Sequence, residues 1–260
     1  MPGTSQDGSV RITPLLGLPL FTAGDDLAAA IGDALEAGGP DLADGDVLVV
    51  AQKVVSKVED RAVRLKDVTV GAPARELAAA SGKDAAIAQL ILDESESIMR
   101  AKPGVVIARH RLGHVAANAG IDASNVTHED GETMLLWPLD PDASASRLRG
   151  ALEARFGVRL AVVISDSLGR AWRLGTLGTA IGISGLNGLI DRRGETDLFG
   201  RVLQATLVAR ADELAAAASL VIGEAAEGRP AAIIRGAFYL PEETGGIGPM
   251  LRPRREDMFT

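Results

Sequence analysis

Four apolar segments organise the chain: Val47–Ala51, Val105–Ala108, Val158–Ser165, interrupted only by Arg159 before its closing serine, and Ala231–Ile234. Short, β-branched and flanked by turn residues, they predict strands buried on both faces. Weaker strand signals lie at Val10–Leu20, which contains the turn Gly17-Leu18-Pro19, and at Val115–Ala117, Leu135–Leu139 and Val202–Ala209. Helical periodicity appears between them. Asp25 and Asp26 can cap an Ala-rich helix through Leu35 that Gly38-Gly39-Pro40 ends. Further helices are predicted over Ala74–Ser81, Ala85–Leu92 and Asp212–Leu220. In Ala143–Phe156 the residues Leu148, Leu152 and Phe156 share one face. The alternation is irregular and no βαβ repeat emerges, so the pattern predicts an α+β fold with mixed or antiparallel sheets.

Composition narrows this picture. A chain of 260 residues is at the upper edge of one domain, or is two small lobes sharing a core. With 47% apolar but only 3% aromatic residues, the core must be aliphatic. The formal net charge of −8 argues against general nucleic-acid binding, which needs clustered Lys and Arg. It leaves room for a phosphorylated small molecule in a locally positive pocket. The absence of cysteine excludes disulfides and thiolate chemistry. Met1–Ser9 is polar and unlike a signal peptide, and no apolar run reaches membrane-spanning length, so a soluble cytoplasmic protein without membrane partners is expected. The Gly/Pro/Arg-rich stretch after Tyr239 reads as a mobile loop or connector, with residues 1–240 as the catalytic unit and 241–260 as a tail.

Candidate chemistry concentrates where apolar runs meet carboxylates. No Walker A pattern is present, since Gly82-Lys83 is followed by Asp84, and there is no placed Rossmann fingerprint. Asp122, within Ala117–Asn125, and Asp166 with Ser167, within Ile164–Arg170, each read as a tight polar turn carrying oxygen ligands. Two such turns from separate strand ends suit a hard divalent cation, with sites left for phosphate and water. Asx residues also stabilise turns by bonding their own backbone, which is the plainer reading of either alone. Glu224 lies in a third such segment, Gly223–Gly228. Gln52, Lys53, Ser56 and Lys57 follow the Val47–Ala51 strand as phosphate-binding cations or a solvated strand-to-loop junction. Arg170 and Arg173 flank Trp172, and the glycines at 175, 178, 182, 185 and 188 serve either anion approach or close packing. His110, His114 and His128 match no metal spacing and read as loop histidines.

Taken together the segments resemble the coenzyme F420:L-glutamate ligase family, the γ-glutamyl ligases of F420 biosynthesis. The resemblance rests on Gly17–Leu20, Asp44–Lys57, Ala119–Asn125, Leu139–Ala145, Ile164–Arg170, Asp191–Gly200 and Asp212–Gly228, in order from about residue 15 to 240. It implies a GTP-dependent ligase that adds L-glutamate to the glutamate-free F420 precursor and lengthens the γ-linked tail through an acyl phosphate. It implies a divalent metal, Mn²⁺ or Mg²⁺, on Asp122, Asp166 and Ser167 with Glu224, and leaves a K⁺ requirement open. Guanine nucleotide is implied along Leu18, Pro19, Leu20 and Phe21, at Gln52, Lys53, Lys57 and Asn125, and across Ile222, Gly223, Ala225, Ala226, Glu227, Gly228 and Arg229. Residue type at Gln52 and Lys53 varies within the family, which points to backbone contacts there. Asp166, Lys57 and Arg170 are the implied catalytic residues. Two lobes and an intertwined homodimer are implied as architecture, and a C-terminal flavin domain found in some members does not occur before Thr260. Two other readings stand beside it: another nucleotide-dependent carboxylate–amine ligase, and a non-catalytic nucleotide-binding dimerisation module. The retained trio Asp122, Asp166 and Ser167 favours catalysis.

Overall fold

The computed structural model describes residues 8–127 and 131–258; His128 lies outside them. The chain begins with β1 (Arg11–Pro14), then α1 (Leu27–Glu36), β2 (Asp46–Ala51), α2 (Gln52–Val58) and β3 (Ala62–Arg64). Next come α3 (Ala72–Ser81), α4 (Ala85–Asp93), β4 (Ser95–Lys102), β5 (Val105–His110), β6 (Val115–Ala117) and β7 (Thr133–Leu135). The remainder is α5 (Pro141–Phe156), β8 (Leu160–Arg170), β9 (Arg173–Ser184), β10 (Leu189–Asp191), β11 (Leu207–Ala209), α6 (Arg210–Ile222) and β12 (Ala231–Arg235).

The fold is α+β. A five-stranded sheet of order β1-β12-β2-β8-β9 is antiparallel except for the β2·β8 pair. Its strands β2, β8 and β12 carry three of the apolar runs because helices cover both faces, and the fourth run is β5 of the smaller lobe. One face packs Leu48, Val50, Val162 and Ile164 against α1, α2 and α5; the other packs Val47, Val49, Ala161 and Val163 against α6. Asp26 caps α1 by accepting the Ala29 N–H, and Asp140 caps α5 by accepting the Ala143 N–H. The smaller lobe combines the β4-β5-β6 sheet, the β3·β7 ladder, α3 and α4 around Leu77, Ile91, Val106, Ile121 and Leu136.

Several local expectations change. The residues after β2 form a helix at once, where a strand-to-loop junction was expected. The strand expected over Leu135–Leu139 occupies Thr133–Leu135 instead, as Pro138 has no N–H for a ladder. Only the end of Val202–Ala209 is a strand, with Val202 making a single bridge to Thr196. The glycine series lies largely in β9 and serves packing. A Cβ on Gly178 would stand 2.4 Å from the Ala215 oxygen of α6, and one on Gly182 2.4 Å from Pro141 of α5. After Tyr239 the chain returns to the body: Ile247 is buried and donates its N–H to Asp142, and Arg109 holds Asp257 at 2.8 Å.

Candidate functional site

The sheet gathers the singled-out segments at one edge. β1 ends there, since the Leu15 N–H donates to the Ala231 oxygen beside Pro14↔Ala232. β12 begins there, opposite Val50 of β2, and β2 passes into α2 there, with Ala51 opposite Ser165 of β8. Residues 16–21 and 52–57 therefore leave the sheet and 222–230 enter it side by side, next to the point where 166–170 carry β8 on beyond the end of β2.

Asp166 does not occupy the tight turn expected from its Asp-Ser-Leu-Gly context. It continues β8 past the end of β2, and the ladder persists through Asp166↔Thr179 and Ser167↔Gly178. The reversal comes at Gly169–Arg173, where Trp172 takes φ 66°. Asp166 Oδ2 accepts the indole N–H of Trp137 at 2.8 Å, and Oδ1 accepts the Ser167 N–H at 2.8 Å. Burial pushes its carboxyl above the usual range, against the indole bond and the Lys53 charge, and Asp122 adds to the rise.

Asp122 arrives from the smaller lobe, behind a turn whose residues Asn118, Ala119 and Gly120 have φ of 53°, 54° and 72°. Its backbone exchanges both hydrogen bonds with Leu135, at 2.8 and 3.2 Å. The carboxylate accepts the Ser124 N–H and hydroxyl, both at 2.8 Å, and pairs with the Lys53 ammonium. Burial pushes Asp122 up, but Lys53 and Ser124 outweigh it and hold the group below its ordinary value. Lys53 thus pairs with Asp122 and is near enough to Asp166 for its charge to act on that carboxyl. Lys57, one turn further along α2, has its pKa lowered by burial and then by Lys53.

Of the other candidates, Asn125 donates its side-chain N–H to the Ala225 oxygen at 3.1 Å, tying the Asp122 turn to the 222–229 segment. Within that segment Arg229 carries a buried Nε without a hydrogen-bond partner. Glu227 accepts the Ala225 N–H at 2.8 Å, and Glu224, Ala226 and Gly228 are exposed. Phe21 is buried, Leu18 half-buried, and Pro19 and Leu20 exposed. Gln52 is buried with its amide donating to Ser56 Oγ at 2.6 Å, so its side chain is already engaged. Ser167 is exposed beside Asp166. Arg170 is about 13 Å further along β8. It lines a separate cleft of about 550 Å³ with Arg109, His114, Thr179 and Asp212.

Neither described histidine is solvated: His110 ends β5 and His114 lies in the loop before β6, both buried. His110 and His114 are buried against Trp137, with ring centroids 4.8 and 5.5 Å away. His110 faces Glu94, which also receives Arg61 and Arg111. Burial pushes Glu94 up, but His110 and the two arginines prevail and hold it at about 2. His114 falls to about 4 through burial and then the His110 charge. Among the described residues no group of three or more His, Asp or Glu is placed to hold a metal ion. The donor set at Lys53 is the two carboxylates of Asp122 and Asp166; Ser167, the next residue along β8, directs its side chain to the other face of the ladder. That set fits a hard cation such as Mg²⁺, which binds through one or two carboxylates and takes its other oxygens from phosphate and water. Trp137 is the site residue that sequence reasoning missed; its signal was a lone Trp before Pro138 in a chain with two tryptophans.

Residues 16–236 match the family F420-0:Gamma-glutamyl ligase, and that span contains every segment just placed. The chain belongs to the F420-0:gamma-glutamyl ligase family. Curated relatives align over nearly the full length. The coenzyme F420:L-glutamate ligase of Methanothermobacter thermautotrophicus is 48% identical, covering 94% of this chain and 96% of that protein. Those of Methanopyrus kandleri and Archaeoglobus fulgidus are 45% and 43% identical, each over 96% of this chain and 98% and 96% of theirs. The large-lobe edge and the Asp122 turn are thus elements of an F420-0:gamma-glutamyl ligase.

Proposed function

We propose that this chain is a GTP- and divalent-metal-dependent ligase joining L-glutamate to the glutamate-free coenzyme F420 precursor and extending the γ-linked tail. Family membership supports the ligase and its substrates. The observation that carries the mechanism is the convergence of Asp122, Asp166 and Lys53 at the sheet edge shared by residues 16–21, 52–57 and 222–229. In the first step a terminal carboxylate oxygen of the precursor attacks the γ-phosphorus of GTP, and GDP leaves. The glutamate amine then attacks the acyl carbon, the amide forms, and phosphate departs with loss of the amine proton.

Both steps need negative charge held close and neutralised. Asp122 and Asp166 would hold Mn²⁺ or Mg²⁺, which supplies charge compensation for the phosphoryl oxygens. Lys53 and Lys57 present two ammonium groups along one face of α2 toward the same edge. The 222–229 segment, with the unpartnered Arg229 Nε, and the 16–21 segment flank them as a nucleotide cradle. A homodimer belongs to the same reading. Trp172 and Leu174 at the β8–β9 tip and Leu198 and Phe199 before β11 are 89–100% exposed, an apolar display that suits a second copy of this chain. Sedimentation at twice 26.9 kDa is the expected result.

The test is mass spectrometry of the glutamate-free precursor incubated with the protein, L-glutamate, GTP and Mn²⁺. Whole glutamyl increments that require both GTP and metal are expected. A folded protein giving none would overturn the substrate assignment and favour another carboxylate acceptor or a non-catalytic nucleotide module.

A further inference from the structure

We infer that Trp137 is a positioning residue that sets the orientation and separation of Asp122 and Asp166, and through them the affinity of the site for a divalent cation. The inference rests on the metal-site reading above. Three contacts from one short segment carry it. The indole N–H donates to Asp166 Oδ2 at 2.8 Å. The ring lies on Gly120, where an added Cβ would stand 2.2 Å from Cε2, so it meets the backbone two residues before Asp122. Leu135, two residues before Trp137, exchanges both backbone hydrogen bonds with Asp122. Asp166 and Asp122 come from different lobes, and these contacts connect the two by way of the indole.

The ring is in turn held still. It is fully buried between His110 and His114, and Arg61 Nε donates to its carbonyl at 2.8 Å. His110 and Arg61 are themselves fixed on Glu94. An indole nitrogen only donates, so it turns one carboxylate oxygen without competing for a cation. The left-handed turn at 118–120 fits the same role. Two consecutive non-glycine residues at positive φ are sustained only where the surroundings over-determine them, and the Trp137 ring is packed directly on that turn. Partners that orient ligands from behind commonly change metal affinity about 10–100-fold when removed.

The probe is Mn²⁺ alone, with free Mn²⁺ counted by electron paramagnetic resonance and no nucleotide present. Trp137→Phe keeps the ring and removes the N–H; the expected loss of affinity is about 10–100-fold. In turnover, the apparent KM for metal should rise by a similar factor while kcat at saturating metal changes far less. A structural defect alone would lower kcat together with the melting temperature. A parent chain that binds no Mn²⁺ overturns the metal site and this inference with it. A parent that binds and a Trp137→Phe variant that binds as tightly overturn this inference alone. Should the variant not fold, the parent decides. With only Trp137 and Trp172 in the chain, ¹⁵N-tryptophan labelling gives two indole resonances, assigned through Trp172→Phe. Mg²⁺ titration should move the Trp137 resonance along a saturable curve, and a stationary resonance under conditions of proven metal binding overturns the inference.

Discussion

Asp122 and Asp166 both feel the Lys53 charge yet are held by opposite means. Asp122 is fixed by its own Ser124 and by Lys53, and its negative charge is favoured. Asp166 has one indole and one backbone N–H, and burial outweighs them. The difference shows a division of labour across the lobes. The small lobe delivers a carboxylate already compensated, and the large lobe keeps one under-compensated, with the stronger demand for an added cation. Such asymmetry between neighbouring carboxylates is how a site separates placement from reactivity.

The largest effect should come from Asp166→Asn, which retains an acceptor for the indole and removes the charge. GTP-dependent ligation should fall about 10²–10³-fold, while the thermal midpoint stays level or rises. A fall in midpoint together with activity would break the comparison, because it would make the Asp166 charge a structural asset.

Acid separates the two supports next. Behind Asp166, Trp137 leans on His114 and, through His110, on Glu94. His114 is held neutral down to about 4, so the unfolded chain binds its proton more readily. Stability should therefore drop by about 3 kcal/mol as pH falls from 6.5 through 4. Glu94 is ionised down to about 2, and its contribution, again about 3 kcal/mol, is complete above pH 4.5 and lost as pH falls from there to 2. Urea unfolding across this range should show both declines, with His114→Phe flattening the upper and Glu94→Gln the lower. Unchanged slopes would mean that the histidine–glutamate support does not titrate as described.

The smallest effect belongs to Lys53→Met. The Lys53–Asp122 pair is partly exposed, with side chains 25% and 44% accessible, so the metal-free protein should lose no more than about 1 kcal/mol. The Asp122 carboxyl should nevertheless titrate at higher pH, measured by NMR of labelled aspartate. A larger stability loss would show that Asp122 depends on Lys53 as heavily as Asp166 depends on Trp137.

What could be read in the sequence follows burial. β2, β8 and β12 were legible because both faces are covered, leaving unbroken apolar runs. β4, Ser-Glu-Ser-Ile-Met-Arg-Ala-Lys, was missed since its half-exposed residues carry no such run. α2 was missed because it is seven residues long, starts directly from a strand and has no side-chain cap. The Asp166 turn was misjudged for a non-local reason: Thr179 and Gly178 extend the ladder, and nothing in residues 164–170 announces them. The site divides in the same way. Asp122 and Asp166 were legible as carboxylates next to apolar runs, and the segments 16–21 and 222–229 only through resemblance. The pairing of Lys53 with Asp122 spans 69 positions and depends on the fold alone. Trp137 was hidden inside a segment that read as an ordinary strand.

One feature of the large sheet bears on how this chain is made. β12, Ala231–Arg235, is inserted between β1 and β2. On the ribosome, β1 must wait for residues 231–235 before it gains its sheet neighbour, and β2, which can pair with β8 on one side, waits for the same residues on the other. Until then the nascent polypeptide carries an apolar β2 with an unpaired edge, the kind of surface that invites aggregation and chaperone binding. Pairings so distant in sequence also close slowly. Production of this protein should therefore be governed by the time between synthesis of β2 and emergence of β12, more than by the stability of the finished molecule.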